Sequence, residues 1–470
     1  MSGLFATLNA SASALQAHAL AVEITGKNLA NANNAGYARQ TVSYATGATV
    51  VTEQGAQSLG LSASVTQIRD ALLDRQVLRE TSLSSSSATL QQALQRAQAG
   101  LGQTLSSAAS TDGTSTVTTD TGIGAALDDF FNSFSALAAT PTDAGARQAV
   151  LASADTLASR LQQADATLAQ GQADLGTAIS SNVSDADSLL HTIADLNTQI
   201  VRIEANAPGS AVDLRDQRQD VLEKLAAILP VTVTDTGGGA LQVSASGGSG
   251  PVVLVDHGTV NGTVVFTGTQ VTAGSPATAL TLTGGSIQGA LAARDGALQT
   301  LRDQFDALAS QLVSSVNTVY NSSGSAGNFF AAGGTTAATI GVSTGLTAAN
   351  LRTGVAGGAA GDNSVALALG RLATTKFSVG GGDAIDGTMG AFFSSSIAQF
   401  GQALASANAN VSNQNAIETL VRGQRDSVSG VNLDEETANL LKYQRAFEAS
   451  SRVLQTVDAM LDQVINELGR

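Results

Sequence analysis

The sequence predicts a mainly α-helical protein with an inserted β-rich domain: N- and C-terminal helices form a coiled coil, followed by a long-helix bundle and then a small β domain. Three observations predict it. Both ends carry apolar residues at intervals of seven, helix-period spacing fills most of the chain between them, and composition changes abruptly after Pro230 to Val, Thr and Gly.

Starting at Leu8, steps of seven reach Leu15, Val22 and Leu29, and the positions three before each are Phe5, Ala12, Ala19 and Gly26. This is a heptad seam, large on one side and mostly small on the other, suited to a partner helix with bulky knobs. The C-terminus supplies such knobs. Leu433, Leu440, Phe447, Leu454, Leu461 and Leu468 fall seven apart, with Tyr443, Val457 and Val464 in a second row that Glu436 and Ser450 interrupt. Two seams at opposite ends predict an antiparallel terminal pair. The C-terminal helix opens at Asn432 as its cap, with Glu435 completing a capping box and Asp434 and Glu436 beside it at the positive end of the helix dipole. Helix-start electrostatics accounts for all three carboxylates.

Between the ends, apolar residues recur at helical spacing over 67–104, with a loosening at 84–87, and a Ser/Thr/Gly/Asp stretch at 106–124 reads as a solvated loop. Helices follow at 125–139, 142–204 and 213–228, the last with Asp213 as N-cap. Alternating runs such as Val231-Thr232-Val233-Thr234 and Leu280-Thr281-Leu282-Thr283 mark short strands across 231–283. Helical pattern returns at 287–321, 363–373 and 389–427, around an irregular stretch at 331–361. Residues 1–60 with 428–470 thus form a terminal coiled-coil assembly domain, 61–230 with 287–427 a helical bundle, and 231–286 an inserted β-rich domain. The chain runs out along helices and returns, leaving both termini together.

Among 470 residues the formal net charge is −15, which repels nucleic acid and anionic membranes, and Lys and Arg are absent from 97–146 and 231–293. No apolar run is long enough to insert in a membrane. A cleaved leader is not expected either: no basic region precedes the Ala17-His18-Ala19 triplet, and polar residues interrupt the apolar stretch before it. With no Cys, disulfides, thiolate metal sites and Cys nucleophiles are excluded. Aromatics make up only 4%, so cores of Leu, Val and Ala are expected rather than a deep aromatic-lined pocket.

Nothing resembling an active site assembles from the remaining residues. His18, His191 and His257 fall in separate elements, and Asp128 and Asp129 point to different helix faces. The alternating signs of Asp213-Leu214-Arg215-Asp216-Gln217-Arg218 read as surface ion pairs of small value. Gly122-Ile123-Gly124 lacks the rest of a phosphate loop and reads as a turn. No catalytic, cofactor-binding or metal residue is assigned, no cofactor is expected, and the chain is read as a non-enzyme.

The stretch Asn28-Leu29-Ala30-Asn31-Ala32-Asn33-Asn34-Ala35-Gly36-Tyr37-Ala38-Arg39-Gln40 describes a helix end and a turn. It is similar to the N-terminal signature of the bacterial flagellar rod, hook and hook-associated proteins. Asn28, Asn31, Gly36, Tyr37, Arg39 and Gln40 carry that likeness, while Asn34 stands where the family usually has Thr. At the other end, Ser429, Gly430, Asn432, Asp434 and Glu435, followed by Tyr443 and Gln444, resemble the ending of the hook-associated protein 1 family. Phe447 replaces a usual Tyr there, and Thr437 a usual apolar residue. The likeness continues at Phe130-Phe131 with Pro141 and Arg147, at Asp213 to Arg218, at Gly285 to Asp295 and at Phe329-Phe330, and so covers nearly the whole chain.

The resemblance implies a structural subunit exported unfolded by the flagellar type III system. Such a subunit assembles on the distal end of the hook and, with hook-associated protein 3, forms the hook-filament junction outside the cell. Its implied partners are further copies of itself, the hook protein, hook-associated protein 3 and a flagellar export chaperone, the last on the stripe Leu440, Phe447, Leu454 and Leu461. Leu8, Leu15, Val22 and Leu29 are expected to pack against that stripe in the polymer. About the first 50 and last 40 residues are expected to order on assembly. A rod or hook subunit is the alternative within the same class, and a secreted glycan-binding adhesin or enzyme the alternative outside it.

Overall fold

The computed structural model describes residues 2–34, 36–46, 49–52, 55–58, 61–105, 122–322, 324, 327–359 and 361–468. Helices open and close the chain: α1 spans Ser2–Ala30 and α10 spans Leu433–Leu468. Two antiparallel strand pairs follow α1. β1 (Gln40–Thr46) pairs with β4 (Leu61–Gln67), from Gln40 opposite Gln67 to Thr46 opposite Leu61, and β2 (Thr49–Thr52) pairs with β3 (Gly55–Ser58). The sequence reading places β1, β2 and β3 in the terminal coiled-coil domain and β4 at the start of the helical bundle, with no strand in either. Their signal is a period of two: Leu61, Ala63 and Val65 are half-buried while Ser62, Ser64 and Thr66 are exposed.

The helices agree closely with the apolar spacing: α2 (Ala71–Leu105), α3 (Ile123–Ala139), α4 (Ala144–Glu204) and α5 (Val212–Ile228). After the β-rich segment come α6 (Gly285–Leu291), a π-helical stretch Ala292–Leu298, α7 (Gln299–Tyr320), α8 (Ser364–Arg371) and α9 (Met389–Ser429). Two details differ from expectation. The helix does not loosen at 84–87, where Ser84 Oγ lies 2.9 Å from Asn415 Oδ1 on α9, a contact that offsets the weak helix propensity of serine. Nor does Asp213 cap α5, which begins one residue earlier and leaves that carboxylate free for other partners. Most of the expected 106–124 loop lies outside the described residues.

Packing divides the chain into two compact units. One comprises Met1–Ser85, Asn182–Gly285 and Asn413–Arg470; the other comprises Ser86–Ser181 and Ser286–Ser412. Each division falls inside a helix and not in a linker. The β-rich insert therefore belongs to the same unit as the paired termini.

In that first unit, β5 (Thr232–Gly237), β6 (Ala240–Gly247), β7 (Gly250–Asp256) and β8 (Thr259–Val260) form an antiparallel meander. A second small sheet follows from β9 (Val265–Phe266), β10 (Val271–Ala273) and β11 (Thr278–Ala279). Val243, Leu254, Val255, Val271 and Ala273 are buried and form its apolar interior. Buried Asn197 on α4 ties the meander down by donating through Nδ2 to the carbonyl oxygens of Leu241 (2.8 Å) and His257. Gly285 ends the segment at φ +80°, where a side chain would collide with the Ile228 carbonyl.

The second unit has an aromatic interior that a 4% aromatic content did not suggest. Eight of the 13 Phe residues sit in one core: Phe130, Phe131, Phe134, Phe305, Phe329, Phe330, Phe393 and Phe400. Phe130 and Phe134 meet edge to face at 5.2 Å, Phe329 and Phe330 at 4.9 Å, and Tyr320 joins Phe329 at 5.6 Å. The few aromatics are concentrated, not spread, and such pairs add about 0.5–1.5 kcal/mol each beyond the area they bury.

Candidate functional site

The terminal helices α1 and α10 pack along one another. On α1 the fully buried row is Ala17, Ala21, Ile24 and Asn28, spaced four, three and four, with Thr25 beside it. Leu8, Leu15, Val22 and Leu29 lie on a different row and are half-buried, while Ala19 and Gly26 are exposed. On α10, Val457 and Leu461 are buried, and Leu440, Tyr443, Leu454 and Val464 are half-buried. Leu433 is 51% exposed and Phe447 37% exposed, so neither is enclosed within the chain. The small residues do allow close approach, but at Ala17 and Ala21 rather than at the row three before the leucines.

At the end of α1 the flagellar-type signature folds into a polar hub. Asn28 is 1% exposed, and its amide uses its full capacity. Nδ2 donates to Gln40 O (2.8 Å) and Glu436 Oε2 (2.9 Å), and Oδ1 accepts from Tyr37 Oη (2.7 Å) and Gln40 N (3.0 Å). Burial first, and then Asp216, Asp213 and Glu436, push the Tyr37 hydroxyl well above its ordinary pKa, so it remains a donor. Asn31 closes the helix end by donating Nδ2 to Lys27 O at 3.0 Å.

Arg39 links this hub to the start of α10. Its Nε donates to Glu436 Oε1 at 2.8 Å, Nη2 reaches Glu435 Oε1 at 2.9 Å and Glu436 Oε1 at 2.8 Å, and its backbone N–H donates to Ser429 O at 2.8 Å. Burial opposes the charge on Arg39, but the bonds and charges of Glu435 and Glu436 prevail and raise its pKa. Glu436 is 2% exposed, so this is a charge-assisted contact inside the protein. Asn432 caps α10 as expected from the sequence, its Oδ1 accepting from Asp434 N (3.0 Å) and Glu435 N (3.3 Å). The carboxylates do more than complement the dipole: Glu435, though exposed, and buried Glu436 both engage Arg39. Gly430 forms the corner between α9 and α10 because a side chain there would collide with the Asp426 carbonyl.

The stretch Asp213–Arg218 joins this region: Asp213 makes a surface pair as its pattern suggested, whereas Asp216 is half-buried and Arg218 buried. Asp213 accepts from Lys27 Nζ and, at 2.9 Å, from Gln40 Nε2. Asp216 and Asp74 both bind Arg69, which also donates to Gly36 O at 3.0 Å. Arg215 forks Glu204 at 2.6–2.7 Å, and buried Arg218 donates to Asn197 Oδ1 and Gly239 O, both at 2.7 Å. Of the remaining motif residues, Tyr443 is half-buried with Lys442 over its ring at 5.8 Å, and Gln444 is exposed. Leu468's side chain and Phe5's lie outside the described residues.

The three histidines stay apart in role: His18 lies edge-on to Tyr44, His191 neighbours Asp187 at 3.8 Å, and His257 neighbours Asp256 at 2.8 Å on the surface. Among the described residues no group of three His, Asp or Glu could hold a metal ion, and no helix is long and apolar enough to cross a membrane.

Residues 112–330 match the family model of the flagellar hook-associated protein FlgK helical domain, and residues 423–468 match that of the flagellar basal body rod FlgEFG protein C-terminal region. The chain is 26% identical to flagellar hook-associated protein 1 of Bacillus subtilis over 100% of this chain and 99% of the relative. To the protein of that name from Salmonella typhimurium it is 27% identical, over 51% of this chain and 41% of the relative. A solved structure of the flagellar hook junction protein FlgK from Burkholderia pseudomallei is similar over 55% of this chain and 47% of that one, at 26% identity and a TM-score of 0.46.

Proposed function

We propose that the chain is a member of the flagellar hook-associated protein 1 family, a structural subunit that assembles on the distal end of the flagellar hook. With hook-associated protein 3 it forms the junction between hook and filament. The observation that carries this reading is the incomplete seam. Even with α1 and α10 paired, Leu8, Leu15, Val22 and Leu29 are only half-buried, and Leu433 and Phe447 are more exposed still. Apolar rows left half-covered along two long helices suit contact with neighbouring subunits, which complete the burial.

On this reading the hub at Asn28 and Arg39 sets the angle at which the helix pair leaves the rest of its unit, and further copies of the chain and the hook protein cover the rest. The termini order on assembly, since a pair of helices with a partly covered seam gains little against its ordering entropy when alone. Before export, a flagellar chaperone holds α10 by Leu440, Phe447, Leu454 and Leu461 in a helix-in-groove contact. Secretion through the flagellar type III system then places the protein outside the cell.

The test is deletion of the gene in its host. Hooks without filaments, with flagellin released to the medium and filaments restored by the intact gene, are expected. Missing hooks would move the protein inward to a rod or hook role, and normal filaments would remove it from the junction. A truncation lacking α10 that still bound the chaperone would reject the proposed chaperone site.

A further inference from the structure

A cavity of about 510 Å³ opens in the unit that contains the termini, beside the signature hub and sharing Arg69 with it. Four arginines line it, Arg69, Arg75, Arg215 and Arg218, against two carboxylates, Asp74 and Asp235. Most of these charges are already matched. Arg69 is held by Asp74 and Asp216, and Arg215 by Glu204, while Asp235 at the exposed edge accepts from Gly237 N at 2.8 Å.

Arg218 is the exception. It is 4% exposed, yet both of its acceptors, Asn197 Oδ1 and Gly239 O, are neutral and both take the same nitrogen, Nη1. Nε and Nη2 have no acceptor among the described residues. Burial first, and then neighbouring Arg215 and Arg69, lower its pKa to about 10 against the more distant pull of Asp235 and Glu204, neither of which bonds it, and it stays charged at neutral pH. A buried cation is ordinarily paired with an anion. Arg75 stands at the same cavity with an exposed guanidinium whose only acceptor among the described residues is the Ala71 carbonyl.

We propose that this cavity binds a small oxyanion, a phosphate, sulfate or carboxylate, which takes the unused donors of Arg218 at its base and of Arg75 at its edge. Arginine suits this task because its planar fork of donors matches a tetrahedral or planar oxyanion and keeps its charge when desolvated. The inference stands on unit-internal geometry and does not depend on the junction role.

Thermal unfolding of the full chain is followed while sodium phosphate, sulfate or citrate is titrated against sodium chloride at matched ionic strength. A saturable rise in Tm with the oxyanions beyond that with chloride is expected. Arg218→Gln should abolish it; should that variant fail to fold, Arg75→Gln carries the test. Arg75→Gln should melt like the parent without ligand and bind phosphate about tenfold more weakly, the loss of one charge-assisted contact. A rise that chloride reproduces, no rise in the parent, or an Arg75→Gln variant with the parent's phosphate affinity would overturn the proposal.

Discussion

The aromatic core of the second unit and the α1–α10 pair solve the same problem, burying apolar side chains on long helices, to different degrees. In the core, Phe130, Phe134, Phe305, Phe329 and Phe330 are at most 1% exposed, and every ring has ring or aliphatic neighbours from the same chain. In the terminal pair the leucine row of α1 stays half-buried, and what holds the helices in register is polar: Asn28, Arg39 and Glu436. One region is finished within the molecule. The other is specified within the molecule but not finished there, the condition expected of a surface that a further subunit completes.

The comparison is most exposed at Phe329. Phe329→Ala should cost about 3–5 kcal/mol, because several rings lose a partner at once and the site cannot collapse around them. Urea denaturation measures it, and a loss near 1 kcal/mol would show the core to be no better closed than the terminal seam. Next in size is Glu436→Gln, which keeps shape but removes the buried charge facing Arg39, at about 1.5–3 kcal/mol for hydrogen bonds to charged groups. Hydrogen exchange should speed up in α1 and α10 while amides of the aromatic core keep their protection. Uniform acceleration would mean that the hub and the core unfold together.

Asn432→Ala should cost about 1 kcal/mol through the lost α10 cap. Phe447→Ala should be about as small in the monomer, since the ring is 37% exposed, well short of the 3–5 kcal/mol of an enclosed Phe. Filament assembly is where its larger effect belongs, so the two readouts should diverge; equal effects would erase the distinction between finished and unfinished surfaces. Smallest is the acid response of Asp213. Burial works to raise its pKa, but Lys27 and Gln40 outweigh that and hold it below the usual carboxylate value. Its contribution is therefore present above the unfolded pKa of about 3.9 and lost as pH falls through the lower folded value. The stability difference between parent and Asp213→Asn should be flat near neutrality and shrink below about pH 4; the half-exposed pair keeps it to a few tenths of a kcal/mol.

Much of this architecture was legible from local pattern. Helical periodicity located the main spans of the described helices, reading α6 and α7 as one, and Asn432 announced the α10 cap because a cap is a contact between residues two and three apart. The hub was legible only as a motif. Asn28 and Arg39 meet Glu436 across about 400 residues of chain, and no local spacing encodes a pairing at that distance. The carboxylate of Asp216 looked like a surface charge for the same reason, since Arg69 lies far from it in sequence, whereas Asp213 is the surface charge its pattern suggested. The β1–β4 pair is written in the alternation of Ser62, Ser64 and Thr66 with Leu61, Ala63 and Val65, but so short a run is weak beside the long heptad of α1 that precedes it. Aromatic scarcity misled because a percentage carries no information about clustering.

The Arg39 contact also works as a check on completeness. A ribosome makes Asn28 and Arg39 about 400 residues before Glu435 and Glu436, so until α10 begins the signature has only its contacts with Gln40, Asp213 and Arg69 and lacks its link to the second helix. The joint that fixes the helix pair therefore closes only once α10 has begun, and a chain that stops before Glu435 lacks the register that Arg39 imposes on the two helices.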